Sequence, residues 1–185
     1  VWQVIAVFIV AIGWLLCNYF LEVIFEENYA NLSAPMRLYV VKNVVKGIIL
    51  GGLTPLAAYG IYRCSHDNAY DDALFTTFGS FYVASDFLSL IVLNIRLPVS
   101  TILHHCCVTF FGVLSLMMNY SDPRSEPWRQ MAILGAFSTF TFIVNFHLGL
   151  RRLLGNYEPN VRRHALFVYA PCVAASLLWQ ALYAV

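Results

Sequence analysis

Two adjacent histidines, His104 and His105, lie within the apolar segment PVSTILHHCCVTFFGVLSLMM. An ionisable side chain at membrane depth is costly to expose to lipid, so such residues usually face the interior of a helix bundle and mark a site. The preceding apolar segment contains Asp86. Counted from the intervening turn, Asp86 lies about 12 Å and His104 about 9 Å into the membrane. We therefore expect an acid and two imidazoles to meet at a similar depth.

Other polar side chains of the apolar segments are expected at about the same level. The same count places Lys46, Asn145 and His147 within about 6 to 12 Å of one membrane face. Because scattered solubilising residues would not share a depth, the pattern predicts a polar pocket that opens toward that face. The predicted pocket residues are Lys46, Asp86, His104, His105, Asn145 and His147.

Asp86 and the histidines allow two interpretations. A carboxylate that accepts a hydrogen bond from an imidazole fixes its tautomer and raises its basicity, which suits proton removal from a hydroxyl or an amine during acyl transfer. In that case His104, His105 and Asp86 are the catalytic residues. Alternatively, Asp86 and one histidine form a buried, neutralised pair that joins two helices. The spacing alone favours neither interpretation.

The five cysteines show the pattern of neither a disulfide framework nor a metal site. Their number is odd, four of them lie inside apolar segments, and no pair has the spacing CxxC. We interpret them as small core residues. The adjacent Cys106 and Cys107 point about 100° apart on a helix, which disfavours a closed zinc site. We expect no bound metal and no covalently bound cofactor.

The composition indicates a protein that crosses a membrane several times. The 185 residues are 60% hydrophobic and only 11% charged, and the charged residues gather between long apolar runs. The formal net charge is +1 and no tract is rich in lysine or arginine, so nucleic acid is excluded as a partner. The expected partners are membrane lipids, either phospholipid or sphingolipid, and membrane proteins.

Six apolar segments predict an all-α bundle of six transmembrane helices, because each is long enough to cross a hydrocarbon core about 30 Å thick. The short connections make sequential helices antiparallel neighbours. Since the sequence shows neither an internal repeat nor a domain linker, we expect a single domain over residues 1–185. The predicted spans are residues 1–25, 38–62, 73–93, 99–120, 129–150 and 164–184.

Basic residues are distributed unevenly between the predicted loops. The loops of one side carry Arg37, Arg96, Arg151, Arg152, Arg162 and Arg163, and those of the other side carry Arg63, Arg124 and Arg129. The positive-inside rule places the first group in the cytosol or in the mitochondrial matrix. The corresponding membranes are the endoplasmic reticulum and the mitochondrial inner membrane, and the sequence does not distinguish them.

Two segments resemble the TLC family of lipid-handling membrane proteins. The run FYVASDFLSLIVLNIRLPVSTILHHCCVTFFGVLS is similar to the centre of that family, where an acid-bearing helix, a short basic turn and a Leu-His-His helix follow one another. The run GAFSTFTFIVNFHLGLRRL is similar to a later family segment of serine-threonine, asparagine and basic residues. The resemblance covers about residues 34–154. It implies a barrel-like arrangement of six helices around a lipid-accessible cavity.

In the ceramide synthases of this family, paired histidines take a proton from the amine of a sphingoid base while an acyl chain is transferred from coenzyme A. The resemblance gives this role to His104 and His105, with acyl-CoA as a substrate. Those enzymes carry further acids in the helix that corresponds to residues 129–150, and this segment contains no acid after Arg129. We therefore predict a protein that binds or organises lipids through the polar pocket without acyltransferase activity. The alternatives are a ceramide-synthase-like N-acyltransferase and an accessory subunit of a larger membrane complex.

Overall fold

The computed structural model describes residues 2–67, 69–92 and 99–183, and over these residues the chain is helical without any strand. The all-α prediction is therefore confirmed. Two single turns of 3₁₀ helix, Pro123–Ser125 and Gly155–Tyr157, precede the fifth and the seventh α-helix. The α-helices of the described residues are α1 (Trp2–Ala30), α2 (Ala34–Asp67), α3 (Asp72–Val92), α4 (Val99–Ser115), α5 (Glu126–Thr139), α6 (Phe142–Leu150) and α7 (Glu158–Tyr183).

Helices α1, α2, α3 and α7 are each long and apolar enough to cross a membrane. The pair α5 and α6 provides a fifth candidate if the two helices, bent by 52° at the break between them, are counted as one span. Helix α4 is apolar but has only 17 residues, about 25 Å. The described residues are thus typical of an integral membrane protein with four or five candidate spans. A sixth span remains a prediction.

The predicted span 129–150 is not one continuous helix, because it breaks at Phe140 and Thr141. The hydroxyl groups of Ser138, Thr139 and Thr141 each donate to the carbonyl three residues earlier, at 2.6 to 2.8 Å. Such bonds compete with the helical ladder and bend helices. The backbone N–H groups at the break also bond three residues back, which tightens the turn.

The last predicted span begins inside a longer helix. Helix α7 starts at Glu158, six residues before the predicted start at residue 164, and Pro159 occupies a position of the first turn where proline is well tolerated. Charged residues end a hydrophobic segment, but they do not end a helix that continues into the headgroup region. Arg162 and Arg163 therefore lie on the helix and not in a loop.

Helix α2 is the central element, since it packs against α1, α3, α5 and α6. Its contact with α6 requires Gly149. A Cβ atom at this position would lie 2.9 Å from Cγ2 of Val44 and 3.1 Å from the carbonyl oxygen of Val40. Helix α4 packs on α3 and more lightly on α5, and α7 packs on α5 and α6, so both lie toward the outside of the bundle.

Candidate functional site

Four buried polar side chains form a connected ionic network of Lys42, Lys46, Asp86 and His105. The Lys46 Nζ atom lies 2.7 and 2.9 Å from the two carboxylate oxygens of Asp86. The Nδ1 atom of His105 lies 2.7 Å from Oδ1 of the same carboxylate. The Lys42 Nζ atom lies 3.0 Å from Nε2 of His105. The Asp86 side chain is fully buried, and the other three are buried as well.

Three helices supply these side chains. Lys42 and Lys46 are one turn apart on α2 and therefore share a face, whereas Asp86 belongs to α3 and His105 to α4. Tyr82, one turn before Asp86 on α3, presents its ring to Lys46, whose Nζ atom lies 5.3 Å from the ring centroid. The network joins α4 to α2, two helices that otherwise both pack against α3.

The contacts of His105 fit one neutral tautomer of its ring beside an ionised Asp86. Because an ionised carboxylate only accepts hydrogen bonds, the proton of the imidazole lies on Nδ1, which donates to Asp86. The Nε2 atom then accepts from the ammonium group of Lys42. With both ring nitrogens engaged, His105 has no free position from which to take a proton from a substrate. This geometry favours the interpretation of Asp86 and a histidine as a buried pair that joins helices.

His104 lies in a different environment from its neighbour. Adjacent residues of a helix point about 100° apart, and the His104 side chain is exposed and lines a cavity of about 380 Å³ between α3, α4 and α5. Its ring centroid lies 5.4 Å from that of His105. Within the described ranges no hydrogen bond joins the His104 side chain to another residue. His104 is therefore the histidine of the pair that a bound molecule could reach.

The cavity is a slot with a mostly apolar wall. Its lining includes the aromatic rings of Phe75, Phe78 and Phe111. His104 and Tyr82 lie toward the end nearest the ionic network, and Tyr120 lies toward the other end. Along α4 the lining runs from His104 to Ser115, about 16 Å. This length is close to half of a hydrocarbon core about 30 Å thick.

Tyr120 closes the far end of the cavity and is held from three sides. Its hydroxyl group donates to the carbonyl oxygen of Ser115 at 2.9 Å. Its backbone N–H donates to the Asp72 carboxylate at 2.5 Å, and its carbonyl accepts from Nε of Arg129 at 2.7 Å. These hydrogen bonds join the turn after α4 to α3 and α5, so the position of Tyr120 at this end of the slot is fixed.

A second cavity of about 400 Å³ lies between α1, α3 and the end of α4. Its size is similar to that of the first cavity, so volume does not decide between them. Its lining includes Ser80 and Gln3 but no ionisable side chain. The first cavity is the better candidate site because an accessible imidazole lies at one end of an apolar slot.

Three of the six predicted pocket residues, Lys46, Asp86 and His105, are in direct contact. His147 is not among them, because its Nε2 atom lies 2.7 Å from the Glu158 carboxylate at the start of α7. Asn145 is half-buried, and in the described part of the chain no hydrogen bond joins it to these groups. The structure thus brings three of the six residues together, and of the six only His104 lines the cavity. Counting depth ignores the direction in which each side chain leaves its helix.

Sequence reasoning missed two residues of these clusters. Lys42 has a signal, since it lies four residues before Lys46 in the same apolar run and thus on the same face. Glu158 was missed because it lies before residue 164, the predicted start of the last span. The segment 129–150 contains no acid, and the carboxylate that contacts His147 belongs to Glu158 at the start of α7.

The cysteines divide into two groups. Cys17 and Cys64 are buried, as expected of core residues, and Cys172 is half-buried. The core interpretation is wrong for Cys106 and Cys107, which are exposed because α4 lies toward the outside of the bundle. Among the described residues no group of three or more His, Cys, Asp or Glu side chains is arranged to hold a metal ion.

Comparisons with known proteins add no assignment. The sequence matches no protein-family model and no curated protein, and the structure matches no solved structure. The resemblance to the TLC family thus stays a prediction. The function has to be argued from the site itself.

Proposed function

We propose that this protein binds a membrane lipid and holds one acyl chain in the cavity between α3, α4 and α5. The observation that carries the proposal is the apolar slot of about 380 Å³ with the accessible imidazole of His104 at one end. Ligand sites in proteins are commonly of this kind, largely apolar with a few polar groups that orient the ligand.

The dimensions and chemistry of the slot suit an acyl chain. Its length of about 16 Å along α4 is close to the thickness of one leaflet of the hydrocarbon core. Because lipid tails and the apolar wall are equally apolar, close packing in the slot and the polar contact at His104 have to favour binding. The ring nitrogens of His104 can donate a hydrogen bond to an ester carbonyl or accept one from a hydroxyl group, as phospholipids and sphingolipids offer.

The ionic network supports the slot without lining it. Lys42, Lys46, Asp86 and His105 do not belong to the cavity wall. They hold α4 against α2 and α3 and thereby set the position of His104. The polar cluster is, in this proposal, a positioning device for one wall of the lipid site.

Filling the slot is the direct test. Gly135 lines the cavity, and a Cβ atom there would lie 3.6 Å from the Phe78 ring, an ordinary contact. Gly135→Leu should lower the affinity for phosphatidylcholine about tenfold or more, because overpacking the slot costs about 1–3 kcal/mol and about 1.4 kcal/mol corresponds to tenfold. Native mass spectrometry of the purified, delipidated protein titrated with phosphatidylcholine measures the affinity.

Gly52→Leu is the matched control, since Gly52 lies on the exposed face of α2 and a Cβ atom there meets nothing within 4 Å. It makes the same substitution outside the cavity and should leave lipid affinity unchanged. Circular dichroism of both variants shows whether the helices are retained. Equal lipid affinity of well-folded Gly135→Leu and wild-type protein would refute the proposal.

Acyl transfer is the second candidate function. The imidazole of His104 lines an apolar slot and, among the described residues, its side chain has no hydrogen-bond partner. The reaction would release coenzyme A from acyl-CoA and join the acyl group to the amine of a sphingoid base. The geometry favours it less, since the Asp86 carboxylate is bound by Lys46 and His105. Turnover of acyl-CoA with a sphingoid base that is lost in His104→Ala would replace the binding proposal with the enzymatic one.

A further inference from the structure

Four arginines gather where α6 ends and α7 begins. Arg151 and Arg152 follow the last residue of α6, and Arg162 and Arg163 lie in the second turn of α7. We call these four residues the arginine patch. All four side chains are exposed. Since α6 and α7 pack against each other, the two pairs of arginines lie at the same end of the bundle.

Among the described residues, no acid neutralises the arginine patch by direct pairing. In the described ranges none of the four guanidinium groups forms an ion pair with an acid. The acid at the start of α7, Glu158, is engaged by His147 at 2.7 Å. The neighbouring His164 contributes no negative charge, and its Nδ1 atom bonds a backbone carbonyl.

Other acids of the same end belong to a different helix. Glu22, Glu26 and Glu27 lie near the end of α1, which packs on α2 and α3, whereas the arginine patch belongs to α6 and α7. Arg151 lies against α2, with its guanidinium carbon 6.0 Å from the Tyr39 ring centroid. This end of the bundle therefore has an acidic side and a basic side.

The surroundings place the arginine patch at the level of lipid headgroups. On α7, Leu166 and Phe167 are 61% and 78% exposed and lie about 5 to 6 Å deeper than the nearest arginine. Tyr157 is exposed just before α7, as is typical of an aromatic residue at the membrane interface. Apolar side chains thus face the hydrocarbon directly below the guanidinium groups.

We propose that the arginine patch binds the phosphate and carboxylate groups of anionic phospholipids in the adjoining leaflet. A guanidinium group presents paired N–H donors that match these oxyanions with two parallel hydrogen bonds. Basic clusters next to a membrane span attract anionic lipid in the same way. This site is separate from the acyl-chain slot between α3, α4 and α5, and it does not depend on that proposal.

The test compares two lipids with identical acyl chains and different headgroups. The delipidated 185-residue chain is titrated with phosphatidylserine or phosphatidylcholine, and native mass spectrometry gives the affinity for each. The wild-type protein should prefer phosphatidylserine. The variants Arg151→Gln/Arg152→Gln and Arg162→Gln/Arg163→Gln should each lower this preference about tenfold or more, because each removes two charges.

Arg63→Gln/Arg124→Gln is the matched control, because it removes two positive charges from the other end of the bundle, one near the end of α2 and one in the 3₁₀ turn before α5. It should keep the preference for phosphatidylserine. Gly135→Leu should lower the affinity for both lipids equally. The slot proposal therefore predicts a change in affinity for both lipids, whereas the arginine-patch proposal predicts a change in the preference for phosphatidylserine. The proposal is overturned if the wild-type protein shows no preference, if both patch variants retain it, or if the control loses it to the same extent.

Discussion

His104 and His105 are neighbours in the sequence, yet the structure gives their side chains different surroundings. His105 is enclosed by the charges of Asp86 and Lys42, whereas His104 is exposed at the wall of a cavity. The difference follows from the rotation of about 100° between adjacent helical residues. Two histidines that look like one site in the sequence thus occupy two different environments.

Replacing each histidine by alanine should separate these positions. His105→Ala leaves Asp86 and Lys42 each without one buried partner, so it should cost about 1–3 kcal/mol of stability. His104→Ala removes no hydrogen bond to a described residue and should leave the stability within about 0.5 kcal/mol of wild type. Thermal unfolding in detergent, followed by circular dichroism, measures both. Equal destabilisation by the two variants would contradict the separation.

The site could be predicted in part at the residue scale. Asp86 and a histidine were expected to meet, and they do, at 2.7 Å. The sequence left open whether they form a base or a structural pair, because that choice depends on what else touches the imidazole. Lys42, whose Nζ atom lies 3.0 Å from Nε2 of His105, favours the structural pair.

At the scale of elements, close packing of α2 and α6 places the fifth candidate span against the centre of the bundle. Gly149 permits this approach, because its missing side chain leaves room for Val44 and for the backbone at Val40. The break between α5 and α6 coincides with a cluster of hydroxyl side chains that bond carbonyls three residues earlier. The close packing of α2 and α6 and the break before α6 each depend on particular residues. Hydrophobic segment length alone predicts neither of them.

A pair of glycine substitutions tests the packing of α6 on α2. In Gly149→Ala the new methyl group would meet the backbone oxygen of Val40 at 3.1 Å, so overpacking should cost about 1–3 kcal/mol. In Gly52→Ala nothing lies within 4 Å, and the better helix propensity of alanine should add up to about 1 kcal/mol. The thermal midpoints should therefore move in opposite directions. A higher thermal midpoint for Gly149→Ala than for the wild type would show that α6 can move away from α2 at no cost in stability.

At the scale of the whole molecule, the positions of the arginines predict how the protein lies in the membrane. The α6–α7 turn is more basic than the segment between α4 and α5, so the first should face the cytosol or the matrix and the second the opposite compartment. These two regions lie at opposite ends of the bent pair α5 and α6. Orientation is thus a property of the charge distribution over the whole chain.

Single cysteines introduced at the two ends test this orientation. Arg152→Cys and Arg124→Cys should react with a membrane-impermeant maleimide from opposite sides of sealed vesicles, and Arg152→Cys should react from the cytosolic or matrix side. The parent protein provides the background from its own thiols. Reaction of both variants from the same side would rule out a single crossing by α5 and α6, and reaction of each from the unexpected side would reverse the orientation.

By itself the sequence determined the all-helical class, the approximate positions of the apolar helices and the encounter of Asp86 with a histidine. Hydrophobic length and charge position are local properties of the chain, so they can be read without coordinates. Only the tertiary structure decided that Lys42 and Lys46 enclose this pair, that Glu158 reaches back to His147, and that His104 alone of the two histidines faces a cavity. These outcomes depend on the rotation of each helix about its axis and on which helices become neighbours, and residue spacing along one helix does not specify either.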